Sequence, residues 1–109
     1  MNLQIRAKDL KLSDMTKAHI EHAVEEFKKY SLDITSIRCN LVAQKKGVLV
    51  EFEIHVAHTE PIVISQEDDV LDAAIDLAID RAEKALRRLH DKVTDHQAVP
   101  LKELEPADA

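Results

Sequence analysis

Four basic residues, Arg81, Lys84, Arg88 and Lys92, recur at intervals of three or four, the spacing that puts them in one row along a helix turning about 100° per residue. A row of this kind can dock on a polyphosphate backbone, because guanidinium and ammonium groups donate charge-assisted hydrogen bonds to phosphate oxygens. Arg87 falls on a different face, and Asp72, Asp76, Asp80 and Glu83 occupy the opposite flank. A plainer account fits part of the pattern. Asp80 with Lys84 and Glu83 with Arg87 stand four apart in the favourable order, and such pairs support a solvated helix by roughly 0.2–0.5 kcal/mol each. That account does not require four bases on one flank with no acid among them, and charge geometry alone leaves both readings open.

Other chemistries find less support. His19 and His22 are three apart, as are His55 and His58, but neither pair has Cys or acidic companions at a structural-zinc spacing, so no metal is expected. Cys39 lacks a nucleophile signature and alternates with Ile37 and Leu41, which predicts a buried, inert thiol. One glycine cannot build a phosphate-cradling loop. Carboxylates repeating every four residues at Asp72, Asp76 and Asp80 suit a solvated helix flank better than acid–base catalysis. The few aromatics, Phe27, Phe52 and Tyr30, offer no stacking platform for single strands. No enzyme activity, cofactor or small-molecule substrate is expected.

The 109 residues fit one domain with a modest core, and the formal net charge of -6 excludes a bulk-basic nucleic-acid protein. Any contact with phosphate must come from a local patch. The lone cysteine suits a reducing compartment, no apolar run approaches the roughly 20 residues of a membrane span, and the first residues are not a signal peptide. A cytoplasmic location is the expectation.

These side chains need a scaffold, and the patterning supplies one. Leu3, Ile5 and Ala7 alternate with polar residues as a first strand, and Ser13 is a natural N-cap for a helix carrying Ile20, Val24 and Phe27. Ser31 to Ser36 reads as a polar connection. Ile37, Cys39, Leu41 and Ala43 form a second strand, and Lys45, Lys46 and Gly47 a tight turn whose lysines either touch RNA or simply keep the tip soluble, the second being the expectation. Val48, Val50, Phe52, Ile54 and Val56 form a third strand. Ile62 to Ile64 is a short fourth strand beyond Pro61. A long helix is then expected over Glu67 to Val93, capped by Ser65 or Asp68. Its seam is Leu71, Ile75, Ala78, Ala82, Ala85, Leu89 and Val93, with Ala74 and Leu86 at the edges. Acids cluster toward its start and bases toward its end, as the helix dipole favours. The order β-α-β-β-β-α predicts an α+β two-layer domain, one four-stranded sheet with two helices on one face, over residues 1–93. Residues 94–109, with two prolines and several acids, read as a mobile acidic tail.

Element order and the last helix together resemble a known family. The stretch DVLDAAIDLAIDRAEKALRRLHDK, Asp69 to Lys92, is similar to the signature helix of the ribosome hibernation-promoting and ribosome-associated inhibitor proteins, also called sigma-54 modulation proteins or Y proteins. The matching positions are AAID at Ala73 to Asp76, IDR at Ile79 to Arg81, and the bases Lys84, Arg87 and Arg88. The first helix and the DITS at Asp33 to Ser36 also look similar.

The resemblance implies a fold like that of double-stranded RNA-binding domains. It also implies a non-enzymatic partner of the small ribosomal subunit that occupies the messenger and transfer RNA channel in stationary phase or stress. Carried over by position, the RNA contacts are Arg81, Lys84, Arg87, Arg88 and Lys92, with Lys28 and Lys29 at the end of the first helix. Several positions depart from the family pattern: Asp72 stands where an aromatic is usual, Ala23 and Glu26 where lysines are common, and Leu89 and Asp91 where a tyrosine and a base are frequent. Fewer phosphate contacts imply weaker binding and a shallower salt dependence. The length implies a short form without a second, dimerising domain. A different class of function stays open: a protein-interaction module that modulates a transcription (sigma) factor, or self-assembles, without touching RNA.

Overall fold

The computed structural model describes residues 2–98, with side chains through residue 93. Chain order is β1 (Asn2–Lys8), α1 (Asp14–Glu26), a single 3₁₀ turn (Phe27–Tyr30), β2 (Ile34–Gln44), β3 (Gly47–Val56), β4 (Ile62–Asp68) and α2 (Leu71–Ala98). The strands form one sheet in the order β1-β2-β3-β4. β1 pairs with β2 in parallel, so α1 serves as the crossover that a parallel pair requires, and the other two pairs are antiparallel.

Alternation along the strands decides which side the helices cover. Cys39, Phe52 and Ile64 stand on one rung of the sheet, and Ile37 pairs with Ile54 and Leu41 with Val50. All seven belong to one buried cluster with Ile20 and Val24 of α1 and with Ala74, Ile75, Ala78, Ala82 and Leu86 of α2. Both helices therefore cover the same face, giving the two-layer α+β domain expected. Phe27 and Phe52 meet edge-on with ring centroids 6.3 Å apart, joining the end of α1 to the middle of β3. Each buried aromatic of this size contributes about 1.5–3 kcal/mol.

Local signals explain most boundaries. Ser13 Oγ accepts the Thr16 amide at 3.1 Å, capping α1. That helix ends through the 3₁₀ turn, and Ser31 follows in the left-handed region at φ 55°. The β2–β3 turn holds only Lys45 and Lys46, and Gly47 follows at φ 138°. A side chain there would run into the Asp68 carbonyl, so Gly47 answers to a close backbone approach as well as to its φ.

Four boundaries differ from the sequence expectation. β2 begins at Ile34 rather than Ile37, with a register irregularity between Ile34 and Ser36 in its first residues. β4 continues to Asp68, because Gln66, Glu67 and Asp68 pair with Val50, Leu49 and Val48 of the longer partner strand. Consequently α2 starts at Leu71, and neither Glu67 nor Asp68 lies in it. Ser65 is not its cap. The Asp68 carboxylate instead accepts the Val70 amide at 3.1 Å across the strand-to-helix junction. At the other end, α2 passes Val93, where its apolar seam stops, and continues to Ala98, while residues 99–109 of the expected tail lie outside the described residues.

Candidate nucleic-acid interface

α2 packs on β3 and β4 and also touches α1. Its buried stripe is narrow and made of small residues at the centre, Ala74, Ala78 and Ala82, with Ile75 and Leu86 beside them. Leu71, Ala85, Leu89 and Val93, assigned to the seam from sequence, are only partly buried. The helix therefore has two flanks with different neighbours and different charges.

The acidic flank turns toward α1. His19 Nε2 lies 2.7 Å from Asp76 Oδ1, an exposed contact that ties the two helices. Tyr30 donates its hydroxyl to Glu83 Oε1 at 3.4 Å, and Lys29 Nζ lies 3.8 Å from the same oxygen and 5.4 Å from the Tyr30 ring centroid. Glu83 thus serves the α1 side, and the expected Glu83–Arg87 pair is not formed among the described residues. Sequence reading missed these contacts because their partners lie more than 50 residues apart.

The basic flank turns toward β4, and its members have separate fates. Arg81 Nη1 donates to the Ser65 carbonyl at 2.6 Å and to Gln66 Oε1 at 3.1 Å. Arg81 therefore clamps the helix to the outermost strand and occupies a backbone carbonyl of that strand, which discourages pairing with another chain. Lys84 lies 3.1 Å from Asp80, and Lys28 lies 3.0 Å from Glu25. Exposed pairs of this kind contribute only about 0–1 kcal/mol, so either lysine can exchange its carboxylate for a phosphate at low cost. Arg87, Arg88 and Lys92 are exposed and have no carboxylate within 4.0 Å among the described residues. The seven bases singled out from sequence thus divide. One is a structural clamp, three are held by carboxylates, and three at the C-terminal half of α2 have no carboxylate partner among the described residues.

Arg88 and Lys92 also border a groove of about 820 Å³ between α2 and the β3–β4 turn. Ile62, Ala85, Leu89 and Val93 supply its apolar lining, and His58, Thr59 and Glu60 supply the turn side. The turn is held in shape. The Thr59 amide donates to the Val56 carbonyl at 3.2 Å and its hydroxyl to the same oxygen at 3.3 Å, the Ala57 amide reaches the Asp33 carbonyl at 2.9 Å, and His58 takes φ 67°. Nothing local in the sequence indicated that the β3–β4 turn would face the end of α2.

The remaining reactive groups lie elsewhere. Burial pushes the Cys39 thiol up to about 12, so the thiolate is not formed at neutral pH. His55 Nε2 lies 2.9 Å from Glu53, which also sits 3.6 Å from Arg38, on the sheet face away from the helices. No group of three or more His, Cys, Asp or Glu side chains that could hold a metal ion occurs among the described residues. No helix among them is long and apolar enough to cross a membrane.

Comparison with known proteins gives two kinds of result. Among solved structures, the N-terminal domain of Thermus thermophilus Protein Y superposes with a TM-score of 0.71 at 24% identity, covering 82% of this chain and 99% of that one. A ribosomal subunit interface protein from Coxiella burnetii gives a TM-score of 0.73 at 16% identity, covering 82% and 97%. At these identities the likeness establishes the fold. No curated protein sequence matches the chain. A family model described as sigma 54 modulation protein / S30EA ribosomal protein matches residues 3–94. That span takes in every element from β1 through the basic half of α2, and the chain therefore belongs to the sigma 54 modulation protein / S30EA ribosomal protein family.

Proposed function

We propose that this protein is a ribosome-associated translation inhibitor of the hibernation type, a binding protein rather than an enzyme. It binds ribosomal RNA of the small subunit in the channel used by messenger and transfer RNA, under stationary-phase or stress conditions. The observation that carries the reading is the pair Arg88 and Lys92 on the basic flank, with Arg87 on a neighbouring face of the same helix end, three cations without a described carboxylate partner on a protein of net charge -6. An acidic molecule approaching a polyanion must present its positive charge locally, and this half of α2 does so. Lys84, Lys28 and Lys29 can add contacts by leaving weak surface pairs, whereas Arg81 acts mainly by holding α2 to β4. Family membership and the Protein Y and subunit-interface folds support the ribosome as the partner.

The test is sedimentation of the full chain with isolated small subunits through a sucrose cushion at low and at raised monovalent salt. The protein is expected in the ribosomal pellet at low salt and in the supernatant at high salt. Folded protein that stays in the supernatant at low salt would sink the reading and leave a protein partner as the alternative.

A further inference from the structure

From the groove between α2 and the β3–β4 turn, we infer that the protein holds one unpaired nucleotide of single-stranded RNA there, with a base bearing an exocyclic amino group, that is any base but uracil. The inference rests on the reading that the protein binds RNA and goes beyond phosphate docking. The groove's volume of about 820 Å³ falls within the roughly 300–1,000 Å³ of small-ligand clefts. Its chemistry is mixed in a way that plain backbone docking does not need. Ile62, Ala85, Leu89 and Val93 form an apolar floor on which the flat face of a base can lie, and Arg88 and Lys92, one turn apart on the same helix, border it on the α2 side. Neither cation has a carboxylate partner among the described residues, so a phosphate meets them without displacing a described carboxylate.

Glu60 distinguishes the occupant. It lines the groove from the turn side, yet it forms no ion pair with Arg88 or Lys92 among the described residues. An acidic peptide offers nothing to a carboxylate on the turn side, whereas a nucleotide sets its phosphate against Arg88 and Lys92 and its base edge against Glu60. Glu60 accepts a hydrogen bond from the exocyclic amino group that adenine, cytosine and guanine carry and that uracil lacks. The wall bearing Glu60 is preformed by the Thr59 and Ala57 hydrogen bonds, so little ordering accompanies binding. Duplex RNA cannot offer a base to this groove, whereas a loop or single strand can turn one out.

The experiment titrates isotopically labelled full-length protein with AMP, CMP, UMP and ribose 5-phosphate at low salt, following amide shifts by NMR. Covering roughly 60 Å² of apolar base surface corresponds to about tenfold tighter binding of AMP or CMP than of ribose 5-phosphate. The shifts should map to Thr59, Ile62, Leu89 and Val93, and UMP should bind several-fold more weakly than AMP and CMP. Glu60→Gln should erase the advantage over UMP, and Ala85→Phe, which fills the floor and leaves Arg88 and Lys92 in place, should reduce nucleotides to the level of ribose 5-phosphate. Equal binding of ribose 5-phosphate and the nucleotides would overturn the inference, as would equal binding of UMP. It would also fail if Ala85→Phe changed the mass measured by sedimentation equilibrium but not nucleotide binding, which would assign the groove to a second copy. None of these measurements uses ribosomes, so the inference can fail while co-sedimentation succeeds, and the reverse.

Discussion

Neutralising Arg88 and Lys92 together, as Arg88→Gln with Lys92→Gln, should change how ribosome binding depends on salt, and the size of the change follows from the side-chain partners. Log affinity falls with log salt with a slope of about −0.7 to −0.9 per neutralised phosphate. If only Arg87, Arg88 and Lys92 engage RNA, the slope is about −2 to −3, and affinity drops roughly 20- to 60-fold between 50 and 200 mM salt. If Arg81, Lys84, Lys28 and Lys29 engaged as well, the slope would be about −5 to −6 and the drop more than about a thousandfold. Removing two of those first three cations should leave a slope of about −1 and a drop of only about fourfold. The assay is fluorescence anisotropy of labelled protein against small subunits over a monovalent-salt series at fixed magnesium. A wild-type slope steeper than about −6 would refute the assignment of Arg81 to the scaffold, since the six other cations together account for about −4 to −5. A slope unaltered in the double variant would refute the placement of the contact at the end of α2.

Other expectations concern the scaffold. Gly47→Ala should destabilise the protein by more than about 1 kcal/mol in urea, since it adds a positive-φ penalty to a collision with the Asp68 carbonyl; an unchanged midpoint would show that the turn yields freely. Arg81→Ala should lower the thermal midpoint, at about 1 kcal/mol for the lost hydrogen bonds, while leaving the salt slope of ribosome binding nearly intact; a clear loss of slope would make Arg81 an RNA contact. Cys39 should resist alkylation at pH 8 until the protein is denatured, because its thiol is raised from 9.0 to about 12. The unfolded thiol ionises above pH 9 while the buried one keeps its proton, so its linkage removes stability as pH rises from about 9 toward 12. Alkaline urea titrations of Cys39→Ala should lose that component, and an unchanged pH slope would contradict it.

The fold was largely legible because each element carried its own signal. Alternation at Ile37, Cys39 and Leu41 and at Val50, Phe52 and Ile54 gave the buried face, and Ser13 gave the start of α1. The second half of β4 was hidden because Ser65, Gln66, Glu67 and Asp68 are polar, and their strand conformation comes from pairing with the longer β3. Local propensity offered acids ahead of a helix, and tertiary register overrode it. The basic flank was visible as a row, but its division was not, since helix spacing cannot show that Arg81 reaches a β4 carbonyl while Arg88 reaches no carboxylate among the described residues. The groove was invisible for the same reason. Its two sides meet only through the β3–β4 register, and no residue of the turn announces a partner some 30 positions later.

Ala74, Ala78 and Ala82 set a constraint of their own, because all three are completely buried where α2 crosses the sheet. Methyl groups hold the helix axis near the strands and fix how high its cationic edge stands above β4. A valine or leucine at any of them would act as a spacer, costing about 1–3 kcal/mol in overpacking and lifting every basic side chain together. The surface charges can therefore be exchanged one at a time, while the geometry that presents them depends on three of the smallest side chains in the chain.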